Sequence, residues 1–501
     1  WIDSGLLLGH FLDVFVHFAG SSISLFGFVM RITQILLLLF CLSFEAVVAH
    51  VNVILTRPTD EGITLSLITK KSCYVGIEYG TNSNSLSQMF DAGKFYQGVP
   101  KNVEITGLAA DTKYYYKLLI DGVPAEDGPS SFQTAREKGS DFKFSVMSDS
   151  HFGEEPMFGG GKLYLNTLQN IAEGSPDFVV DLGDTFMGES LVWEQEGVGE
   201  DKVVEQHQGQ RAHLGTVLHS FPMFSVRGNR DGEYGYFRGG ERPVAEWAAR
   251  ARTKYFPMPH PEVDDQGQEV PGFYTGNIQK EEGIGFVEDY YAWTWGDALF
   301  VVLDPYWYTK SHPQDGWGWT LGRDQHAWLT RTLEANHDVR WKFVFCHALV
   351  GGGSAWGQRG GAEMAHYFEW GGNNLRGGSY QFDARRYGWG DPVHTLFLKH
   401  NVDVFFHGHD HFYGYQEVDG VVYQETPKSD RPFDMGLKRY GGYEDGVFLP
   451  NAGHLEISVT TSEVTVSYIR SLLSDSVPEE DEDIPIDWQN KEVSHSYTIQ
   501  K

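Results

Sequence analysis

From Asp141 onward the hydrophobic positions fall in short, nearly continuous runs: Phe142–Met147, Asp177–Leu182, Leu299–Leu303, Trp341–Cys346 and Val402–Phe406. Runs this short, without helical spacing, read as strands buried on both faces. Between several of them the apolar residues recur at helical spacing, over Lys162–Ala172, Gly322–Ala335 and Pro392–His400. Strand and helix in alternation over this length predict an α/β domain. Val421–Thr426, His454–Thr460 and Glu463–Ile469 add antiparallel strands at its end. Residues 50–137 have a different texture. Ile63–Thr69, Tyr74–Tyr79 and Tyr114–Ile120 alternate with period two, separated by turn signals such as Asp60-Glu61-Gly62 and Asp121-Gly122. That spacing predicts a small all-β sandwich, with Arg136–Ser140 as the linker to the α/β domain of 141–501.

The first 49 residues follow another pattern. Met30-Arg31 opens a short basic stretch, Ile35–Phe44 is apolar, and Val47-Val48-Ala49 places small residues before a cleavage point. This is the layout of a secretory signal peptide over 30–49, with 1–29 an untranslated or wrongly assigned leader. The apolar core is short for a bilayer span. A membrane anchor over Ile23–Val48 is the competing reading, interrupted by Arg31 and Gln34. Export is favoured, which places the chain outside the cell, in a periplasm or at the cell surface, with no stable membrane insertion after cleavage.

Composition then narrows the partners. The 501 residues carry 39 Lys plus Arg against 68 Asp plus Glu, a formal charge of −29. Phosphate backbones are bound by basic surfaces, so a nucleic-acid polymer is excluded as the main partner. Only Cys73 and Cys346 follow the signal, in different predicted domains, which argues against a disulfide framework even in an oxidising compartment. No Asn-x-Ser/Thr acceptor occurs. The acidic stretch Pro478–Asp487 reads as a solvated loop.

The residues with chemistry sit just past the strands. Phe144–Ser148 runs into Asp149-Ser150-His151, Phe178–Leu182 into Gly183-Asp184, and Phe224–Val226 into Arg227-Gly228-Asn229-Arg230-Asp231. Phe343–Cys346 ends in His347, and Val404–Phe406 in His407-Gly408-His409-Asp410-His411. Any one of these alone is an ordinary polar residue closing a strand or turn. Asp181 stays open as a supporting residue behind the site, and His407 as a core histidine. Five strands delivering Asp, His or Asn at their carboxyl ends are more specific. Ligands bind at that edge of open α/β sheets, and imidazoles with carboxylates are donors for transition metals.

In this order the motifs Asp-x-His at 149–151, Gly-Asp at 183–184, Gly-Asn at 228–229, His347 and Gly-His-x-His at 408–411 resemble the calcineurin-like metallophosphoesterase superfamily. The resemblance covers roughly 141–470. Residues 105–116 resemble the late strands of a fibronectin type III-like module, and such a module over 50–137 is similar to the N-terminal part of purple acid phosphatases. The superfamily resemblance implies a two-sheet β-sandwich flanked by helices, around two divalent or trivalent transition-metal ions (Mn, Fe or Zn). Asp149, His151, Asp184 and His411 would hold one ion; Asp184 would bridge to the other, completed by Asn229, His347 and His409. A shared carboxylate suits two cations a few ångströms apart, and neutral imidazoles finish the shells without excess negative charge. The implied activity is hydrolysis of small phosphate monoesters by attack of a metal-bound hydroxide. Phosphodiesterase or nucleotidase action, and a non-catalytic extracellular binding protein on the same scaffold, are the alternatives.

Two positions depart from the pattern. Met187 stands where purple acid phosphatases have a tyrosine, so no phenolate chromophore is expected. Arg230 stands where the family has a histidine that assists the leaving group together with the next acid, here Asp231. Arginine cannot serve as an acid near neutral pH but can clamp a phosphate oxygen; an ion pair with Asp231 is the equal alternative. Asp184, Arg230 and Asp231 are therefore the expected catalytic residues. The long glycine- and aromatic-rich segment 351–392 reads as an inserted cap, with Arg230, His366 and Trp370 as expected substrate contacts and Tyr290–Trp295 and Tyr306–Trp319 as further aromatic walls.

Overall fold

Phe144 on one sheet meets Phe300 on another edge-to-face, ring centroids 5.2 Å apart. Phe178 meets the same ring at 5.2 Å, and Phe343 lies 5.5 Å from Phe144. These rings are the middle of a sandwich of two mixed sheets in the computed structural model of the chain. It describes residues 51–501 except 127, 153–160, 189–198, 242, 353–358, 434, 436–440 and 475–487. The expected leader and signal peptide, and the whole acidic loop 478–487, lie outside the described residues.

The first sheet runs in the order Met223–Ser225, Phe178–Asp181, Phe142–Met147, Gly453–Val459, Glu463–Arg470, Val493–Gln500. Its first three strands are parallel and the rest antiparallel. The second sheet has eight strands. Its centre is Ala298–Val302, Trp341–Phe345, Val404–His407 and Val421–Glu425, all parallel. Tyr291–Trp295 pairs antiparallel on one side and Tyr413–Val418 on the other. Helices Arg323–Ala335 and Val393–Lys399 bury Leu329, Leu333 and Phe397 with Val344 and Phe405 of this sheet. Helix Lys162–Gly174 packs on Gly453–Val459 of the other. The expected two-sheet α/β architecture is therefore present, and its predicted strands and helices lie within two residues of their observed bounds.

Two helices escape the hydrophobic pattern. Glu200–Leu214 buries Val203, His207, Gln210, Arg211 and Leu214, a proper helical stripe made mostly of polar side chains. Periodicity of apolar residues cannot reveal such a face. Val244–Tyr255 buries four alanines, which carry little hydrophobic signal. The aromatic walls expected at 290–295 are a strand instead: Trp293 stacks on Phe224 at 3.8 Å, and Tyr291, Trp293 and Trp295 are buried in the core. Trp307, Trp317 and Trp319 are buried as well.

Residues 51–133 form two antiparallel sheets. One orders Val51–Thr56, Gly62–Thr69 and Lys101–Thr106; the other is built on Cys73–Gly80 and Lys113–Ile120. Segment 136–140, expected as a linker, is a fixed joint. Arg136 forks onto both oxygens of Asp177 at 2.7 and 2.9 Å and reaches Asp111 at 3.0 Å. Gly139 N–H donates to Asp297. Arg211, fully buried, donates to Asn52 Oδ1 at 2.7 Å, to Ser66 and to the Tyr255 carbonyl. Val51–Lys501 accordingly forms one compact unit. Among the described residues no helix is long and apolar enough to cross a membrane.

Candidate metal centre

Parallel strands in both sheets end at the same edge of the sandwich, and their next residues turn toward one another. Asp149, His151, Asp184, His409 and His411 all have positive φ, between 47° and 79°. Non-glycine residues there cost about 1–3 kcal/mol each and concentrate at functional sites. The glycine before Asn229 is required by closeness: a Cβ on Gly228 would lie 2.1 Å from the Asp184 nitrogen.

The side chains assemble in two groups sharing one carboxylate. Asp149, His151, Asp184 and His411 form the first, Asp184, His347 and His409 the second, with donor atoms of each group within 4.8 Å of one another. His151 Nε2 lies 3.3 Å from Asp184 Oδ2, and His411 Nε2 3.2 Å from Asp149 Oδ1. On the other side, His347 Nε2 is 3.4 Å from Asp184 Oδ2 and 3.2 Å from both Asn229 Oδ1 and His409 Nδ1. All seven residues expected as metal ligands are thus brought together.

The donors fit cations. His347 Nδ1 lies 2.9 Å from the Leu182 carbonyl, which can only accept, so Nδ1 carries the proton and Nε2 is left to coordinate. Asp149 Oδ2 is occupied by Ser148 Oγ and the His409 N–H, while its Oδ1 is buried with no hydrogen-bond partner. A buried carboxylate oxygen left unpaired is costly unless a cation meets it. Burial works against ionised Asp149 and Asp184, yet the imidazoles around them hold both well below the usual carboxylate range. Burial also opposes charge on His347, but Asp184 and Asp149 raise it to about 9. Without metal, the carboxylates draw a proton onto His347; ions held by these residues would replace that charge. Burial pushes His411 down to about 4 and His409 well below its ordinary value, which keeps both neutral for coordination.

Neighbouring side chains fix these loops. Asp231 Oδ1 accepts the N–H groups of Thr185 and Phe186 at 2.9 Å, and its Oδ2 that of Gly228 at 2.6 Å. The carboxylate of Asp231, expected as a catalytic group, is thus hydrogen-bonded to the backbone of both the Asp184 and Asn229 loops. Arg230 is half-buried, and its N–H donates to Asp184 Oδ1 at 2.6 Å. Asp181 takes Thr185 Oγ1 and the Gly183 N–H behind Asp184. His407 stacks on Phe405 within the core, 2.6 Å from Glu425. Met187 is buried.

Two expected substrate contacts are elsewhere. Trp370 is fully buried against Phe405 and Phe397, its indole N–H donating to Tyr423 Oη at 3.0 Å. It packs on the outer face of the second sheet because a ring of that size gains most by complete burial. His366 lies beside Asp419, which precedes Val422, the partner of Val404. His409 lies past the other end of strand Val404–His407, so the two places are at opposite ends of that strand. The part of segment 351–392 tied to the metal residues is its beginning: Arg359 donates to the His409 carbonyl and to Asp410, both at 2.8 Å, and Gly360 N–H to Asp410. Gly353 and Trp356 lie outside the described residues. Asp410 also takes Tyr443 Oη at 2.7 Å. Its place between two histidines expected as ligands is a signal the sequence offered; Tyr443 offered none.

No profile of a known protein family matches the chain, and no curated protein sequence matches it. Solved structures do. One titled "Structure of PhoD" aligns with TM-score 0.57 at 13% identity, covering 84% of this chain and 86% of that one. Purple acid phosphatase PPD1 from yellow lupin (Lupinus luteus) seeds aligns with TM-score 0.53 at 15% identity, covering 90% and 74%. At such identities the likeness is one of architecture, and together with the site geometry it gives this chain the calcineurin-like metallophosphoesterase fold.

Proposed function

We propose that this chain is an exported, metal-dependent phosphoesterase acting on small phosphate monoesters. The observation that carries the reading is the pair of donor groups joined through Asp184. Two transition-metal ions held there, one by Asp149, His151, Asp184 and His411 and one by Asp184, Asn229, His347 and His409, supply a nucleophile at neutral pH and neutralise charge on phosphoryl oxygens. Mn, Fe and Zn all suit these donors. The protein's own part is preorganisation. Leu182 fixes the tautomer of His347, Asp231 ties the loops of Asp184 and Asn229, and Arg359 with Asp410 sets the backbone between His409 and His411. Arg230, next to Asn229, is the group that binds a phosphate oxygen. It cannot protonate a leaving group near neutral pH, so esters with good leaving groups are the faster substrates. Export rests on the Met30–Ala49 pattern, and a small ester rather than a nucleic acid on the charge of −29.

The test is hydrolysis by the chain from residue 50, reconstituted separately with Mn, Zn and Fe, on p-nitrophenyl phosphate and bis-p-nitrophenyl phosphate. Turnover of the monoester that vanishes in Asp184→Ala supports the reading. A faster diester selects the phosphodiesterase alternative. Two bound ions with turnover of neither selects a narrow natural substrate or the binding protein, and a chain that binds no metal overturns the proposal.

A further inference from the structure

Away from the dinuclear centre, three side chains from separate segments converge. His366 closes a 3-10 turn over Ala362–His366, His394 lies in the first turn of helix Val393–Lys399, and Asp419 is at the tip of the hairpin joining Tyr413–Val418 to Val421–Glu425. Asp419 and Gly420 have φ of 53° and 86° between paired Val418 and Val421, a two-residue turn of the type Asp-Gly favours. The tight turn fixes the backbone that carries the Asp419 carboxylate. His394 Nε2 is 3.1 Å and His366 Nε2 3.8 Å from Asp419 Oδ2. The imidazoles meet edge-on, centroids 5.4 Å apart, and all donor atoms lie within 4.8 Å.

We propose that His366, His394 and Asp419 form a separate site for a single divalent transition-metal ion, with zinc the best match to the donors. Two imidazoles and one carboxylate are a zinc donor set, and bonds of about 2.0–2.1 Å in a tetrahedron put donor atoms about 3.3 Å apart. The His366 to Asp419 spacing of 3.8 Å and a donor set spanning up to 4.8 Å close onto an ion by movement of His366, whose side chain is 47% exposed. Solvent fills the fourth position. His394 is built for the task. It is nearly buried, and its Nδ1 lies 2.7 Å from Tyr423 Oη, which also receives the Trp370 indole N–H. With Nδ1–H donated to the phenol oxygen, Nε2 presents its lone pair to the ion; such outer partners orient metal-bound histidines. Burial lowers the His394 pKa, so it is neutral near pH 7. In the metal-free chain the same geometry accommodates an Nε2–H to Asp419 hydrogen bond, which zinc replaces. The consequence is mechanical: the ion ties segment 362–394 to the 418–421 hairpin on the second sheet.

The experiment is titration of the purified, metal-stripped full chain with Zn2+ against a chromophoric chelator. His366→Ala and Asp419→Asn serve as variants, since both side chains are about half exposed and Asn tolerates the positive φ. The wild type binds one more equivalent of zinc than His366→Ala, and Asp419→Asn loses or weakens that same equivalent. Asp184→Ala retains it, which separates this site from the dinuclear centre. Equal zinc counts for wild type and His366→Ala overturn the proposal, as does loss of the extra equivalent in Asp184→Ala.

Discussion

Arg359 Nη1 lies 2.8 Å from Asp410 Oδ1 and the same distance from the carbonyl oxygen of His409, so one guanidinium spans the backbone and side chain between His409 and His411, two of the candidate metal ligands. Asp410 is buried and is further held by Tyr443 and Gly360. Arg359→Ala is expected to leave a folded chain that binds metal about 10–100-fold more weakly, the usual effect of removing an outer partner. Metal-content analysis after dialysis against a graded chelator series checks this. Wild-type retention in Arg359→Ala shows that the clamp has no such role.

Gly228 faces Asp184 at a distance no side chain can occupy, its ideal Cβ falling 2.1 Å from the Asp184 nitrogen and 2.2 Å from Oδ1. Because the first atom met is backbone, relief requires the Asp184 loop to move. Gly228→Ala should therefore keep the overall circular dichroism and lose both ions of the centre, with turnover reduced at least about 100-fold, as expected when reacting groups are misplaced by an ångström.

Arg230 should reveal itself in the split between kinetic constants. A charge-assisted contact to phosphate contributes about 1.5–3 kcal/mol, so Arg230→Ala should raise KM about 10–100-fold if the contact is made equally in ground and transition states. Steady-state kinetics on p-nitrophenyl phosphate decide it. An unchanged KM and kcat would return Arg230 to a structural role.

Arg211 joins the N-terminal sheets to the α/β core from a fully buried position, with Asn52, Ser66 and Tyr255 as its acceptors. Burial lowers its pKa to about 9, still charged at neutral pH. Arg211→Met leaves buried carbonyls without donors and should cost about 2–4 kcal/mol. The midpoint of urea unfolding reports it, and residues 51–133 should become the first segment cut in limited proteolysis.

His207 sets a pH dependence. Burial pushes it down to about 4, while its ordinary value is 6.5; it stacks on Phe186 at 3.9 Å and its Nδ1–H donates to the Val203 carbonyl. Between those values the unfolded chain binds the proton and the folded chain does not, so folding stability is complete above about pH 6.5 and falls as pH drops toward 4. The loss from this group is at most about 3 kcal/mol. Urea unfolding of the metal-free chain at several pH values should show that decline, and His207→Phe should make it shallower, with the remainder coming from other histidines that burial pushes down, such as His411. An identical slope in the variant would contradict the assignment.

The gathering of the candidate ligands was legible in the sequence because each follows a strand that announces itself by a continuous apolar run: Phe142–Met147 before Asp149, Phe178–Asp181 before Asp184, Val404–His407 before His409 and His411. Burial on both faces and the short-range geometry of strand ends are local properties, so residue order carries them. Three-dimensional packing decided the rest. Trp370 and the aromatic strand Tyr291–Trp295 looked like pocket walls, since a bare list of residues does not say which side of an aromatic cluster faces solvent. Helix Glu200–Leu214 buries Gln210 and Arg211, whose partners lie in other segments, among them Ser66, Ser150 and Asn52. A buried polar face of this kind is satisfied only by contacts distant in the chain. The same holds for Asp410 with Arg359 and Tyr443, and for His366 with His394 and Asp419. Hydrophobic periodicity is written into neighbouring residues, whereas the pairing of charges and donors depends on which loops the closed sandwich brings side by side.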